Sequence, residues 1–395
     1  MTRSGNLLVG QGGGPTAVIN ASLLGIVEEA RQHRQIERIL GMRYGLVGLL
    51  KGDIVDLGLE DPQRLRLVGR SPAAALGTCR RRFTPHDATS TLAVLAAYNV
   101  RFFLYIGGND SADTAHQIQA LADQSGYDLT CMGVPKTIDN DLAHMDHTPG
   151  YGSAARYIAT AALNISYDTA AIATTDQVTI LEVMGRNAGW LAAASILART
   201  SSDDAPHLVY VPERPVSADC LVRQVKQVVA RHGHAVIVAT ETIRDENGKP
   251  WARSTGDDGF GHARLVGAAE RMGDVISDSL GLKVRVNKPG SLQRSAGECV
   301  SPVDWDEAYL VGKVAVSRAV DGARDMMVTL LRKPGTAYAC ATGLAPLADI
   351  AHAERRLPAE FLNEDGQISP AFADYARPLI GGPLPTYARL TAPRS

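Results

Sequence analysis

A chain of 395 residues with a formal net charge of −2 has room for two α/β lobes and lacks the basic excess of a nucleic-acid or membrane-surface binder. No run of about eighteen apolar residues occurs, and no charged-then-apolar leader precedes the first apolar run. The five cysteines (Cys79, Cys131, Cys220, Cys299, Cys340) stand without CxxC or metal-ligand spacing, which predicts reduced thiols; together with the charge and the apolar pattern, the expectation is a cytoplasmic protein with small-molecule partners, no nucleic acid and no membrane.

Short apolar runs alternate with helix-length segments from end to end. They predict strands over 7–10, 102–106, 131–134, 178–183, 208–211, 235–240 and 282–286, and helices over 17–32, 111–122, 153–164, 188–198, 218–231 and 261–279. This is the pattern of strands and crossover helices in a parallel sheet. The turn-rich His147-Thr148-Pro149-Gly150-Tyr151-Gly152 predicts a lobe boundary. The expected architecture is therefore α/β, with two Rossmann-like three-layer lobes, mainly parallel sheets and a cleft between them. The first lobe is expected over residues 1–150 plus about 290–345, the second over 151–289, and a peripheral extension over 346–395.

Three loops leaving apolar runs carry the chemistry. The first, Gly10-Gln11-Gly12-Gly13-Gly14-Pro15-Thr16, precedes an apolar-periodic helix, where backbone N–H groups can hold phosphate oxygens. It is not a Walker A loop, because no Gly-Lys-Ser/Thr follows. Pro15 stands where a dinucleotide fingerprint would need its third glycine, which disfavours a dehydrogenase. The second, Gly107-Gly108-Asn109-Asp110-Ser111, lets the backbone approach a ligand while Asn109 and Asp110 can reach a hard cation; one of the last three residues also suits a helix cap. The third is Pro135-Lys136-Thr137-Ile138-Asp139-Asn140-Asp141. In an extended segment residues two apart share a face, so Asp139 and Asp141 can enter one site, one as a base and the other as a metal or substrate contact. A base and a neutralising cation are the two things phosphoryl transfer most needs.

These loops, with Leu76-Gly77-Thr78-Cys79-Arg80, Met184-Gly185-Arg186 and Gln293-Arg294, resemble the phosphofructokinases, and most closely their pyrophosphate-dependent branch. The resemblance implies Mg²⁺-dependent, reversible transfer of a phosphoryl group to the 1-hydroxyl of fructose 6-phosphate, in a homodimer or homotetramer. It implies Asp139 as the base, Thr137 beside it on the transferring group, and Arg186 on the charge of the transition state. Gly13, Gly14, Arg80, Gly108 and Ser111 would bind pyrophosphate. Thr137, Ile138, Asp139, Met184, Gly185, Arg186, Glu241, Arg285, Ser291, Leu292, Gln293 and Arg294 would bind the sugar phosphate, and Asn109 the metal.

Asp110 and Lys136 would specify the donor, because ATP-using members resemble this chain but carry glycine at both places. A carboxylate at 110 repels the α-phosphate of a nucleotide, and Lys136 adds charge suited to compact pyrophosphate. The chain departs from the family pattern at Asn109, where the familiar residue is a metal-engaging aspartate. It departs again at Gln177, where many members carry an arginine that crosses a subunit interface, and at Ser291, where many carry histidine. Arg285, Lys288 and Arg294 remain as cations for an acceptor phosphate, and a longer sugar such as sedoheptulose 7-phosphate is an alternative acceptor. An ATP-dependent kinase and a non-catalytic sugar-phosphate sensor on the same fold are the competing readings.

Overall fold

The computed structural model describes residues 4–257 and 263–390. Its strands are β1 (Gly5–Gln11), β2 (Ile36–Met42), β3 (Ile54–Asp56), β4 (Val100–Gly107), β5 (Thr130–Pro135), β6 (Val178–Val183), β7 (Leu208–Tyr210), β8 (Ala235–Thr240), β9 (Arg253–Asp257), β10 (Ala263–Val266), β11 (Val284–Asn287), β12 (Met326–Arg332) and β13 (Cys340–Pro346). One sheet runs β13-β12-β5-β4-β1-β2-β3, parallel except for its two outermost strands. A second runs β11-β6-β8-β7 and is parallel throughout. β9 and β10 form a separate antiparallel pair.

Both faces of the larger sheet are covered, as a parallel sheet requires. Leu7 and Val9 of β1 pack with Ile19, Leu23 and Ile26 on one face, whereas Leu8 packs with Phe103, Ala112 and Ala115 on the other. That alternation is the period of two of a strand. The helix Ile19–Ala30 lies against the helix Pro302–Val320 so closely that a Cβ on Gly25 would collide with the Tyr309 carbonyl, and one on Gly312 with that of Ser22. Residues after β11 thus return to the first sheet, through this helix and through β12 and β13.

The segment expected at the periphery after residue 346 is built into the core. Leu347 and Ile350 join the first sheet's packing, while Leu357, Phe361, Ile368, Phe372 and Leu379 join Tyr151, Leu181, Val183 and Trp190 against the second. Trp190 meets Phe361 edge-on at 6.0 Å and Tyr375 at 5.3 Å between ring centroids. Tail composition, rich in proline and charge, conceals these anchors because they are spaced irregularly along the chain.

Several element boundaries also differ from expectation. The helix expected over 261–279 is Ala268–Leu280, and Ala263–Val266 ahead of it is strand; Gly261 lies outside the described residues. The segment 188–198 divides into a helix Trp190–Ala194 and a tighter turn Ser195–Ala198. β2, β3, β9, β12 and β13 join the strands anticipated from sequence. No described helix is long and apolar enough to cross a membrane.

Candidate active site

β1, β4 and β5 end side by side, so the three loops read from sequence leave the same edge of the sheet. β1 pairs with β2 on one side and β4 on the other, which makes this edge a topological switch point, where open α/β sheets bind ligands. Segments after β6 and β8 contribute from the second sheet.

The first glycine loop is ringed by cations. The Lys136 ammonium donates to the Gly14 carbonyl at 2.8 Å. A Cβ on Gly14 would stand 2.7 Å from a guanidinium nitrogen of Arg294 and 4.0 Å from one of Arg80, and a Cβ on Gly13 would stand 3.3 Å from the Lys136 ammonium. Gly13 has φ +71, a conformation that side chains rarely adopt, so both its freedom and its lack of a side chain are used here. Burial pushes the pKa of Lys136 down to about 8, with Asp139 opposing the shift and Arg294 and Arg186 adding to it. Arg294 is shifted down as well, by burial and then by Arg80, and its Nε is buried without a hydrogen-bond partner. Mutually repelling cations gathered on a loop of main-chain groups make an anion site. Ser111 is buried where its Oγ lies against both Gly12 and Gly107, fixing the spacing of the two glycine turns, and a Cβ on Gly108 would come within 3.7 Å of the Lys136 carbonyl.

Asn109 opens the helix Asn109–Gln124, and its amide nitrogen donates to the carbonyls of Ile350 at 3.0 Å and Ala353 at 2.8 Å. The side chain anchors the second glycine turn to the segment after residue 346. Two carbonyl acceptors require a donor at this place, which an aspartate lacks.

The third loop presents its carboxylates to Arg186. Thr137 Oγ1 donates to Asp139 Oδ2 at 3.2 Å and accepts from the Asp139 main-chain N–H at 3.1 Å, tying the carboxylate to its own turn. Arg186 lies 3.6 Å from Asp110 and 3.9 Å from Asp141, so one guanidinium bridges the second and third loops. Its backbone is left-handed at φ +51, after Gly185 at φ +154, and Thr242 donates to its carbonyl. Burial raises the pKa of Asp139 against the pull of Arg186 and Thr137. Asp141 is raised by burial and then by the charge of Asp139, and neither of its buried carboxylate oxygens has a hydrogen-bond partner. Glu241, at the end of β8, is pushed up to about 7 by burial and by Asp139 and Glu182. Arg186 alone faces three carboxylates, and Asp141, buried without a hydrogen-bond partner, fits a hard divalent cation.

Other expected contacts fall elsewhere. Ile138 is packed in the apolar core. Gln293 is buried, accepting from the Met184 N–H at 3.0 Å and donating to the Gly290 carbonyl, so it positions the Met184–Arg186 turn. Ser291 and Leu292 are exposed. Arg285 pairs with Asp176 at 2.7 Å, and its strand places it beside Thr179 near the start of β6, away from the end that carries Met184; this chain does not bring it to the site. Lys288 is held between Glu182 and Glu270. Arg294, assigned from sequence to the acceptor phosphate, stands on the glycine loop beside Arg80. Conversely, Glu354 and Arg355 reach the site from the tail with no sequence signal to announce them: Glu354 accepts from Asn187 at 3.1 Å, and Arg355 donates through its main-chain N–H to the Asp141 carbonyl at 2.7 Å.

A mainly parallel sheet and a second parallel sheet, with glycine turns, cations and paired carboxylates gathered at the strand ends, have the make-up of an α/β phosphoryl-transfer enzyme. The chain belongs to the phosphofructokinase family, whose model, "Phosphofructokinase", matches residues 6–318. It is 42% identical over 390 residues to the pyrophosphate–fructose 6-phosphate 1-phosphotransferase of Xanthomonas campestris pv. campestris, covering 97% of this chain and 93% of that one. It is also similar to the sulfofructose kinase of Alkalicoccus urumqiensis, at 33% identity over 90% of this chain and 91% of that one. Among solved structures, the pyrophosphate-dependent phosphofructokinase from Marinobacter aquaeolei superposes with a TM-score of 0.87 at 36% identity, covering 97% of this chain and 94% of that one.

Proposed function

We infer that this protein transfers a phosphoryl group from pyrophosphate to the 1-hydroxyl of fructose 6-phosphate, giving fructose 1,6-bisphosphate and phosphate, reversibly and with Mg²⁺. By resemblance to its family it acts as a cytoplasmic homo-oligomer. The observation that carries the choice of donor is the buried Lys136 ammonium on the Gly14 carbonyl, with Arg294 close by and Asp110 paired with Arg186. Concentrated positive charge suits a compact polyanion, and the Asp110 carboxylate opposes the additional phosphate of a nucleotide.

Asp139 takes the proton of the attacking hydroxyl. Burial has already raised its affinity for protons, and Thr137 orients the oxygen that receives it. Arg186 faces the charge that develops on the transferring group. Glu241 is at the end of β8 to meet sugar hydroxyls. Asp141, whose carboxylate is buried with no hydrogen bond and only the more distant Arg186 beside it, would hold Mg²⁺, and the amide of Asn109, committed to the protein through its nitrogen, would not be the main ligand. When bound, the ion supplies neutralisation of phosphate charge.

A side-by-side assay tests this reading: purified protein with fructose 6-phosphate and Mg²⁺, given either pyrophosphate or ATP, followed by formation of fructose 1,6-bisphosphate. Turnover with pyrophosphate and little with ATP is expected. Comparable kcat/KM values for both donors would replace the reading with that of a nucleotide kinase, and tight sugar binding without product would leave a sensor.

A further inference from the structure

Asn140, between the two active-site aspartates, holds a left-handed backbone at φ +58, a turn conformation that asparagine tolerates. The carbonyls of this turn are held largely by one residue of the tail. Arg355 donates to the Asn140 carbonyl through Nε at 3.3 Å and Nη2 at 3.0 Å, and its main-chain N–H donates to the Asp141 carbonyl at 2.7 Å. The Asn140 side chain completes the clamp, donating to the Tyr375 hydroxyl at 3.0 Å and accepting from the Thr148 N–H at 3.0 Å.

The same arginine reaches the packing of the second sheet. Its guanidinium lies over the Trp190 ring, 4.1 Å from the centroid, and the Trp190 indole N–H donates to its carbonyl at 3.1 Å. Trp190 begins the helix that follows Arg186, Asn187, Ala188 and Gly189. Adjacent Glu354 accepts from Asn187 at 3.1 Å. Residues 354 and 355 therefore touch the peptide that carries Asp139 and Asp141, and also the turn that carries Arg186.

We propose that Arg355 is a positioning residue for phosphoryl transfer: its planar fork sets the Asp139–Asp141 peptide against the Arg186 turn, so that the base and the guanidinium meet the reacting group in register. The inference rests on the phosphotransferase reading above. Lysine cannot reproduce it, because a single ammonium cannot give parallel hydrogen bonds to the carbonyl and lie flat on the indole. Small displacements of reacting groups cost rate far more than binding.

The test is steady-state kinetics of full-length wild type, Arg355→Ala and Arg355→Lys with pyrophosphate, fructose 6-phosphate and Mg²⁺, with unfolding temperature measured alongside. Folded Arg355→Ala should lose about 10- to 100-fold in kcat, with both KM values within about threefold of wild type. Added guanidinium ion at millimolar concentration should restore part of the rate, and methylammonium should not. If Arg355→Ala does not fold, Arg355→Lys decides: a kcat at least about tenfold down in the folded protein supports the inference, and a near-normal kcat overturns it. Wild-type kcat in folded Arg355→Ala, or a loss confined to KM, also overturns it. An active wild type with an equally active variant removes only this inference, whereas a wild type inactive with either donor removes the reading beneath it as well.

Discussion

The Lys136 ammonium and the Gly14 carbonyl, 122 residues apart in the chain, are joined by a 2.8 Å hydrogen bond that ties the aspartate loop to the first glycine turn. Burial holds the pKa of this lysine near 8. As the pH rises through that value the free protein loses the cation, so the KM for pyrophosphate should climb above about pH 8. For stability the sign is opposite. Between about 8 and the ordinary lysine value the unfolded chain binds more protons than the folded one, so this group makes folding more favourable as pH rises. Lys136→Met should remove both slopes, and initial-rate kinetics and denaturant titrations across pH 7–10 check them.

Asp110→Gly should collapse turnover with pyrophosphate and let ATP use appear or improve. In wild type Asp110 lies 3.6 Å from Arg186. The variant therefore loses a carboxylate that repels a nucleotide and also one of the anions that hold the guanidinium. An unchanged preference between the two donors in competition assays would dismiss the repulsion argument.

Asp139→Asn should lower kcat by about 10²–10⁴ with substrate binding largely kept, because the general base goes while the shape stays. Isothermal titration with fructose 6-phosphate, run beside the kinetics, separates the two effects. Near-normal turnover would rule Asp139 out as the base.

Asp141→Asn addresses the metal. A carboxyl whose pKa is raised by folding binds more protons folded than unfolded, so the metal-free protein should lose stability as pH rises above the ordinary carboxylate range. The asparagine variant should be more heat-stable than wild type at pH 8 without metal, and should lose the rise in unfolding temperature that Mg²⁺ gives wild type. Calorimetric scans with and without MgCl₂ check both.

Asn109→Asp distinguishes an anchor from a ligand. Its partners are two carbonyl oxygens, so a carboxylate there leaves all three groups without a donor and should cost about 1–3 kcal/mol. Mg²⁺ should bind no more tightly. A variant with stronger Mg²⁺ affinity and intact stability would reinstate residue 109 as a metal ligand.

What the chain discloses before folding follows from how local each signal is. Apolar runs on both sides of a parallel sheet are continuous, so β4, β6 and β8 are readable to within a residue or two. β2 interrupts its run with the exposed Glu37 and Arg38, and β13 is built largely of small residues, so neither carries a strong strand pattern. Glycine turns and the Lys136–Asp141 segment stand out because their chemistry is compressed into a few consecutive positions. Arg355 and Glu354 do not, since nothing nearby in sequence shows that they reach a loop more than 200 residues earlier. Arg285 reads from sequence as a cation available for an acceptor phosphate, yet its strand register sets it beside Thr179, where it pairs with Asp176.

The aromatic cluster around Trp190 bears on how the chain is made. Phe361, Phe372 and Tyr375 complete that cluster, and β12 and β13 complete the edge of the first sheet. On a ribosome the second sheet can form its strands early but must wait with Trp190 uncovered until Phe361, Phe372 and Tyr375 have emerged. A nascent chain released at residue 345 would expose an oily face and draw chaperones or proteases.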